Sequence, residues 1–455
     1  MTIDTGLRRD ALGVIESTVM GVAGTAPAFS VAATTATLIA AVGVLAPASL
    51  IVCGLIILGI AISYAQLNRL DPNAGASYAW VGKEFGAVPG FFAGWALLVA
   101  SAVFMVSGTI PAATATLMLI DPARAADPAS VTFVAAGWLL AITAVLIKGI
   151  KLTSWTQMLM TGIETGILIV LIIAALIRLP AGVAHVPSAR WFLPGSFTPR
   201  TFAHGVLVAL FFFWGWDVAV NLNEETRDAS RVPGTGSLAA MLIVLLLFVG
   251  FVAATLLTLD DRQIQAEGTR VIFAVAQKLL PGPWAYLAIL AVILSTVGTI
   301  ETSILQFTRT LYAMGRDGVL HRRYAVLHGS WQTPWVATLV IALIGLTLLF
   351  FSAGYPSVNA IMHDSVDAIG FQVAFYYGLA GLTCVWHYRR SMFATLSGFI
   401  LRIFWPLSSA LFLLFTIFYS LPTFNLLTDV VGLGGIVVGA VPLMLNRGKK
   451  AQKSG

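Results

Sequence analysis

The chain has 455 residues, of which 58% are hydrophobic and only 10% are charged, and its mean hydropathy is +0.90. Water would not hold so apolar a chain as a monomer, which excludes soluble enzymes and soluble binding modules. The formal net charge is +6, but the basic residues are scattered over loops rather than gathered on one face, so nucleic-acid binding is not supported.

Twelve apolar segments follow one another along the chain, and each is long enough for a membrane helix of about 20 residues. The first ten residues are polar and lead directly into the first segment, which indicates a membrane span rather than a cleaved signal peptide. With short loops between them, the segments leave no room for a large soluble domain. They lie at roughly 13–42, 46–68, 87–119, 128–148, 155–179, 201–223, 237–259, 284–308, 334–353, 360–386, 396–421 and 427–446.

The basic residues are unevenly divided between the two sides of these spans. Of the 26 lysines and arginines, 19 lie on the side of the N-terminus and the other 7 on the opposite side. Since cytoplasmic loops are enriched in lysine and arginine, both termini are predicted to lie in the cytoplasm. We therefore expect a multi-pass protein of the plasma membrane.

The first span contains residues that weaken a helix. Gly21, Gly24 and Pro27 lie in the middle of a segment that must cross the membrane, so a local break is expected. Broken backbone at membrane depth is tolerated where it lines a cavity, and its free amides can bind an anionic group. The alternative is a glycine packing notch with a tolerated proline kink. The predicted substrate-binding residues here are Gly21, Val22, Ala23, Gly24 and Thr25.

The fifth span carries a single carboxylate, Glu164, in an otherwise apolar stretch. An acid at the centre of a membrane helix costs about 2.5 to 3.5 kcal/mol on insertion scales, so such residues usually face a cavity, a partner or an ion path. Glu164 is therefore a candidate functional residue.

The sixth span combines aromatic residues, a glycine and an acid at 211–221. Interrupted spans at matching positions in two halves of a chain indicate a binding site built from inverted repeats. Spans one and six match in this way if the repeat unit is five helices. The predicted substrate-binding residues of span six are Trp214, Gly215, Trp216 and Asp217.

Sequence motifs for catalysis, cofactors and metals are not found. Cys53 and Cys384 lie in separate apolar spans, and the six histidines lack a zinc-ligand spacing. The chain has neither a Gly-x-Ser-x-Gly elbow nor a phosphate-binding loop. We predict no enzyme activity, no cofactor, no metal site and no ATP-driven transport.

Three ordered motifs resemble those of the amino acid, polyamine and organocation (APC) permeases. They are the segment 69–95 between spans two and three, the segment 223–233 after span six, and Arg309–Gly318 followed by Thr333–Trp335 after span eight. The resemblance implies an all-α membrane protein of about twelve helices with the leucine-transporter fold and alternating access. It further implies a cytoplasmic segment 1–12, inverted repeats at 13–179 and 201–388, peripheral helices at 396–446 and a cytoplasmic tail 447–455.

The chain departs from the family pattern at the substrate site. Many members carry Gly-Ser-Gly at the break in helix one, where this chain has Gly21-Val22-Ala23-Gly24-Thr25, so the resemblance does not fix the substrate. Asp217 lies where relatives that handle cationic substrates often carry an acid. It either faces a substrate ammonium, which a dry cavity would favour, or is satisfied by Asn221 one turn away or by broken-helix amides.

The resemblance also suggests an ion or proton site. Glu164 aligns with a lysine of proton-driven relatives, whose ammonium replaces the second sodium of sodium-coupled members. The hydroxyls of Ser295, Thr296 and Thr299 on helix eight would face it and suit a hard cation, although such hydroxyls commonly bond their own helix carbonyls. The sequence assigns no role to Glu16 or Glu301. It suggests that Glu224 and Glu225 cap a helix or pair with loop arginines such as Arg231, in a gate region.

The sequence predicts a secondary transporter that imports amino acids or related amines by proton symport. Its partners are then a small-molecule substrate, protons or sodium, and the lipid bilayer. Ion-independent exchange and sodium symport remain alternatives within the same fold. A channel or receptor is an alternative of another class, but a continuous pore needs no broken-helix site. An integral-membrane enzyme would lack a nucleophile with a base, or a metal cluster.

Overall fold

The computed structural model of the protein describes residues 6–178, 182–421 and 425–451. These residues form helices and connecting turns, and the helices are not accompanied by a β-strand in this part of the chain. The predicted all-α class is confirmed for this part of the chain. Residues 1–5 and 452–455 of the predicted terminal segments, and residue 179 at the end of the predicted first repeat, lie outside the described residues.

Each of the twelve predicted spans is represented by one or more helices. Spans one to six are α1 (Val14–Thr25) with α2 (Pro27–Val42), α3 (Ala46–Leu70), α5 (Ala87–Ser107) with α6 (Thr109–Ile120), α7 (Pro128–Ile147), α8 (Ile150–Ile177), and α9 (Pro199–Phe212) with α10 (Val218–Asn221). Spans seven to twelve are α11 (Val232–Thr258), α14 (Leu287–Arg316), α15 (Trp335–Ser352), α16 (Val358–Tyr388), α17 (Leu396–Phe399) with α18 (Trp405–Ser420), and α19 (Leu426–Asp429), α20 (Gly435–Val438) and α21 (Ala440–Ala451).

Nine helical stretches among the described residues are long and apolar enough to cross a membrane. The first, Val14–Leu70, contains spans one and two together. The helices of span six are too short to be counted because the span is broken, and span twelve contributes a shorter apolar stretch, Val430–Leu445. The described helices therefore account for the twelve predicted spans.

Three helices lie in the connections, where the hydropathy pattern predicts only loops. They are α4 (Ser77–Phe85), α12 (Asp261–Glu267) and α13 (Val271–Leu279). Such helices are too short to produce a membrane signal. In α13 one apolar face, which includes Val271, Val275 and Leu279, is buried against the spans.

The breaks in spans one and six have local causes. Helix α1 ends at Thr25 because Ala26 adopts a left-handed conformation with φ 48°, and Pro27, with no N–H to donate, begins α2. Helix α9 ends at Phe212, and Gly215 has φ 103°, which glycine adopts at no steric cost.

The broken spans lie at the centre of the helix bundle. Helix α1 packs against α8, α10, α11 and α14, and α2 packs against α9 and α14. Helix α8 buries one face and exposes an apolar one that includes Trp155, Leu159 and Val170. In a protein that spans a bilayer, such a face contacts lipid.

Candidate substrate and coupling site

The two helix breaks are in direct backbone contact. A Cβ atom on Gly24 would overlap the carbonyl group of Gly215, and a Cβ atom on Gly215 would overlap that of Gly24. Gly21 is also close to this contact, because its Cβ would lie 3.3 Å from the Trp216 carbonyl oxygen. Glycine at these positions lets the two broken backbones approach each other at membrane depth.

The side chain of Glu164, which belongs to α8, lies against the start of α2, immediately after the break in span one. Its carboxyl group is 1% exposed and lies against the Ser295 hydroxyl and the Ala28 amide, both of which can donate to it. The Ser295 oxygen in turn accepts a 3.1 Å hydrogen bond from the Phe29 amide. A carboxylate at a helix N-terminus is stabilised by the free amides and by the helix dipole.

One oxygen of that carboxyl group remains available. Glu164 Oε2 has no hydrogen-bond partner within the described ranges. No salt bridge to Glu164 occurs among the described residues, and no charged side chain is among the groups that act on it. The arrangement can therefore hold either a proton on the carboxyl group or a cation beside it.

The three hydroxyls predicted on span eight are used differently. Thr299 donates to the Gly24 carbonyl oxygen at 2.9 Å, so it reaches the break in span one as Ser295 does. Thr296 donates to Val292 of its own helix at 2.7 Å. The structure thus brings Ser295 and Thr299 to the break, whereas Thr296 makes the common bond within its helix.

Asp217 is fully buried and accepts hydrogen bonds from side chains on two other spans. The Tyr377 hydroxyl donates to Oδ1 at 2.8 Å. The Tyr376 hydroxyl at 3.2 Å and Gln306 Nε2 at 2.5 Å donate to Oδ2. The side chain of the suggested partner Asn221 does not bond the Asp217 carboxylate, because its amide nitrogen donates to Ala74 and Thr310. Gln306 lies between the two, with its Nε2 3.3 Å from Asn221 Oδ1.

The tryptophans beside Asp217 face different surroundings. Trp214 Nε1 donates to the Tyr376 hydroxyl at 2.9 Å, and its ring packs edge-on against Phe104 at 5.0 Å between centroids. Trp216 is completely buried between Tyr64 and Tyr377. The tyrosines of span ten were not predicted as site residues, although two adjacent hydroxyls inside an apolar span are an available sequence signal.

A cavity of 720 Å³ lies on the side of the bundle opposite the N-terminus. Its wall includes α2, α9, α16 and the turn after α12, with Thr34, Phe211, Arg270 and Asp367 among the lining residues. A narrow second cavity continues from it to Trp214 and Tyr377. Of the predicted substrate residues, only Trp214 lines either cavity.

An aromatic layer separates the large cavity from the helix breaks. Phe29 packs against Phe104 and Phe211, each at 6.2 Å between ring centroids, and Trp214 completes the layer through its contact with Phe104. Gly21–Thr25 and Asp217 lie beneath this layer and are buried. In this conformation the breaks are therefore closed off from the cavity.

The N-terminal side of the bundle is closed by one buried and one partly buried ion pair. Arg309 makes two hydrogen bonds of 2.9 Å to Glu225, and Arg316 binds Glu224 at 3.0 Å. The suggested partner Arg231 is therefore wrong for these pairs, because the arginines of span eight reach both acids after the chain folds. We call Glu224, Glu225, Arg309 and Arg316 the gate network.

Backbone contacts tie the N-terminal segment to the gate network. The amides of Ala11 and Leu12 donate to the Glu225 carbonyl oxygen, at 2.8 and 3.2 Å, and the Arg227 amide donates to Leu12 at 2.9 Å. Nearby, Tyr78 in the connecting helix α4 donates to Asp317 at 3.1 Å. Burial raises the pKa of the Tyr78 phenol, and the charge of Asp317 raises it further, so this group stays a neutral donor.

Comparison with known proteins agrees with this architecture. The family described as "Amino acid permease" matches residues 12–441. The chain is 24% identical over 371 residues to the low-affinity putrescine importer PlaP of Escherichia coli K12, covering 78% of this chain and 76% of that protein. It is 24% identical over 339 residues to the vacuolar cationic amino acid transporter 2 of Arabidopsis thaliana, covering 70% and 52%. It is also 24% identical over 337 residues to the large neutral amino acids transporter small subunit 2 of Oryctolagus cuniculus, covering 72% and 60%.

Proposed function

Because the chain belongs to the amino acid permease family, we propose that it imports amino acids or related amines across the plasma membrane by proton symport. Its family and its relatives are those of multi-pass transporters of amino acids or amines. The direction, the coupling ion and the membrane are our inferences. In this proposal residues 13–179 and 201–388 are the two inverted repeats around the site.

The observation that carries the proposal is the contact of the Glu164 side chain with the start of α2. In the ionised state the carboxylate holds the Ala28 amide and the Ser295 hydroxyl, and so ties the second half of span one to spans five and eight. Protonation removes the negative charge, which weakens both hydrogen bonds and the interaction with the helix dipole. The protonation of one side chain therefore biases the position of the half-helix that borders the substrate site.

We assign the substrate to a space that opens between the two breaks, which are in contact in the conformation described here. Backbone groups of Gly21, Val22, Ala23, Gly24 and Thr25 would bind the carboxylate end of an amino acid, and the segment Trp214, Gly215, Trp216 and Asp217 its amine end. Asp217 supplies negative charge in a dry environment, which favours an ammonium group. The aromatic layer must open for a substrate to reach this space from the cavity.

The charge distribution supports an orientation of the transporter in the membrane. The N-terminal side carries most of the basic residues and is therefore assigned to the cytoplasm. The cavity then faces the outside, and the gate network closes the cytoplasmic path. Import would proceed by closure of the cavity followed by opening of the gate network.

Sodium symport is a second candidate because oxygen atoms surround the same place. The Gly24 carbonyl and the hydroxyls of Ser295 and Thr299 lie around the break, together with Glu164. Hydroxyl, carbonyl and carboxylate oxygens suit a hard cation.

Uptake into proteoliposomes tests the proposed function. We expect at least one member of a panel of labelled amino acids and diamines to accumulate when the outside is made acidic, without sodium on either side. Accumulation that needs sodium and ignores pH would support the second candidate. Exchange against internal substrate without accumulation under either gradient would contradict both.

Replacing Asp217 by asparagine is expected to weaken binding of amine-bearing substrates. The substitution keeps the size and most hydrogen bonds but removes the charge, and a buried charge-assisted hydrogen bond contributes about 1.5 to 3 kcal/mol. The measurement is the apparent affinity for uptake of the substrate found in the panel. Asp121→Asn, in an exposed loop pair with Arg124, is the matched control. Unchanged affinity in folded Asp217→Asn protein would leave Asp217 with a structural role, as the anchor of Tyr376 and Tyr377.

A further inference from the structure

The buried face of α8 changes character at Glu164. From Thr153 to Glu164 it is polar, and beyond Glu164 it is apolar, with Ile167, Leu168, Leu171 and Ala175. Burying a polar group costs free energy unless it is hydrogen-bonded, and acids inside a membrane usually mark ion or proton paths. A polar half-face that ends at an acid therefore indicates a path for protons or water. We call the polar half the polar stripe; it consists of Thr153, Ser154, Gln157, Thr161 and Glu164.

A second buried acid, Glu301 on α14, lies against the middle of this stripe. Gln157 Nε2 donates to Glu301 Oε2 at 2.9 Å and to the Gly298 carbonyl oxygen at 2.8 Å. Gln157 is seven residues before Glu164 on α8, a rise of about 10 Å toward the N-terminal side. Glu301 is 3% exposed. It is therefore a second buried carboxyl group, about two helical turns closer to the N-terminal side of the membrane than Glu164.

The Gln157 amide can hydrogen-bond to Glu301 in both protonation states of that carboxyl group. Its Oε1 atom is buried and has no hydrogen-bond partner within the described ranges. A Cβ atom at position 298 would lie 2.9 Å from this oxygen, so glycine leaves room for the amide. The amide N–H donates to a Glu301 carboxylate, and after a rotation of the amide group the free oxygen can accept from a protonated Glu301.

Glu301 has no charged partner among the groups that act on it in the described part of the chain. The other ionisable residues on the helices packed around it form hydrogen bonds or ion pairs with other groups, or lie at the ends of these helices. Glu16 on α1 accepts from the Gly13 amide, and Arg309 on α14 is paired with Glu225. Asp217 is held by the tyrosines of span ten. Lys151 lies at the start of α8, Arg316 lies at the end of α14, and Arg322 and Arg323 lie in the turn that follows α14.

We propose that Glu301 is a second proton-carrying group, which takes the proton released by Glu164 and passes it to water on the N-terminal side. The proposal rests on the proposed function. The proton leaves the Glu164 carboxyl group, which becomes a carboxylate and again holds Ala28 and Ser295. It moves through the Thr161 hydroxyl and water that enters as the helices separate, and it converts the Glu301 carboxylate to the acid. Release of the proton to water restores the carboxylate.

The test compares two activities of reconstituted protein, since only one of them needs the relay. Substrate counterflow at equal pH reports folding, substrate binding and helix movement. Substrate-dependent proton entry, measured with a pH dye inside the vesicles, reports the relay. For Glu301→Gln we expect unchanged counterflow and proton entry slowed about tenfold or more, as for loss of a positioned acid or base. Glu301→Asp should recover part of the proton entry, and Glu16→Gln, on an acid outside the stripe, should match the wild type in both.

The outcomes separate this proposal from the proposed function. If Glu164→Gln keeps pH-driven accumulation, proton coupling through Glu164 is wrong. If Glu164→Gln loses it while Glu301→Gln lets protons enter at the wild-type rate, the relay alone is wrong. Should Glu301→Gln fail to fold, Gln157→Leu keeps the carboxyl group but removes the amide that holds it. It should slow proton entry while counterflow continues, and wild-type proton entry would overturn the relay.

Discussion

Glu164→Gln is expected to abolish substrate accumulation driven by a pH gradient while exchange of substrate across the membrane continues. Glutamine has nearly the size of a protonated glutamate, and its carbonyl oxygen can still accept from Ala28 or Ser295. It cannot gain or lose a proton. The variant should therefore behave as a permanently protonated transporter, in which substrate still moves but no proton gradient acts on it.

The expected size of this effect follows from the gradient. A gradient of one pH unit corresponds to about 1.4 kcal/mol and can drive about tenfold accumulation through one-to-one symport. In Glu164→Gln proteoliposomes the ratio of internal to external substrate should fall to about one, whereas the rate of counterflow at equal pH should stay close to that of the wild type. The accumulation and the counterflow are measured in the same vesicle preparation, so loss of folded protein lowers both.

Two neighbouring hydroxyls give a matched control. Ser295 lies against Glu164, whereas Thr296 bonds its own helix at Val292. Ser295→Ala should therefore change the pH dependence of uptake, and Thr296→Ala should not. Equal effects of the two substitutions, or accumulation by folded Glu164→Gln protein, would contradict the proton assignment. A sodium requirement in the wild type would transfer the coupling role to the oxygens of Gly24, Ser295 and Thr299.

The number of spans and the two helix breaks could be predicted because both depend on local sequence. Twenty apolar residues form a membrane helix whatever their neighbours. Gly24 with Pro27, and Gly215 in span six, weaken a helix by their own backbone properties. The breaks were therefore visible before the partners of either helix were known.

Contacts between distant spans could not be predicted in the same way. Sequence proximity favours Arg231 as the partner of Glu225, but the actual partner, Arg309, is 84 residues away in sequence. Sequence proximity likewise favours Asn221, one turn along the helix, as the partner of Asp217, but Tyr377, which donates to Asp217, is 160 residues away. A charged or polar residue shows that a partner is needed, whereas helix packing decides which residue supplies it.

The pairing of Glu164 with the start of α2 shows the same limit in the candidate site. The buried acid itself was evident from its apolar surroundings in span five. Its contact with the Ala28 amide depends on how the broken half of span one lies against spans five and eight. Neither the sequence of α8 nor that of α2 contains this information alone.

Breaking the pair between Glu225 and Arg309 is expected to shift the protein toward a state open on the N-terminal side. The two side chains are at most 3% exposed and are joined by two hydrogen bonds of 2.9 Å. Glu225→Gln leaves the Arg309 charge buried without its counterion, a loss of about 3 to 5 kcal/mol when one partner of a buried pair is removed. Since an open gate would admit water to Arg309, most of that loss falls on the closed state.

Labelling of a cysteine in the large cavity measures this shift. Gly370 lines the cavity, and a Cβ atom there would contact nothing within 4 Å. The native cysteines, Cys53 and Cys384, are buried and should not react. An impermeant thiol reagent applied from the cavity side should therefore label Gly370→Cys in the conformation described here. Labelling should become slower when Glu225→Gln is added, because the cavity closes as the gate network opens.

Two controls distinguish an effect on the gate network from a general loss of stability. One is an exposed ion pair on the same side of the membrane, and the other is an exchange of the two buried charges. Lys83 and Asp71 lie 3.4 Å apart with the Lys83 side chain 63% exposed, and such a pair contributes at most about 1 kcal/mol. Lys83→Gln should therefore leave the labelling rate of Gly370→Cys unchanged. Exchanging the charges with Glu225→Arg and Arg309→Glu restores opposite charges at the same buried place, so labelling should recover in part, although the two hydrogen bonds need not return.

Unchanged labelling in folded Glu225→Gln protein would mean that the pair stabilises both conformations equally. The closed N-terminal side would then depend on the backbone contacts of Ala11 and Leu12 with Glu225, which none of these substitutions removes.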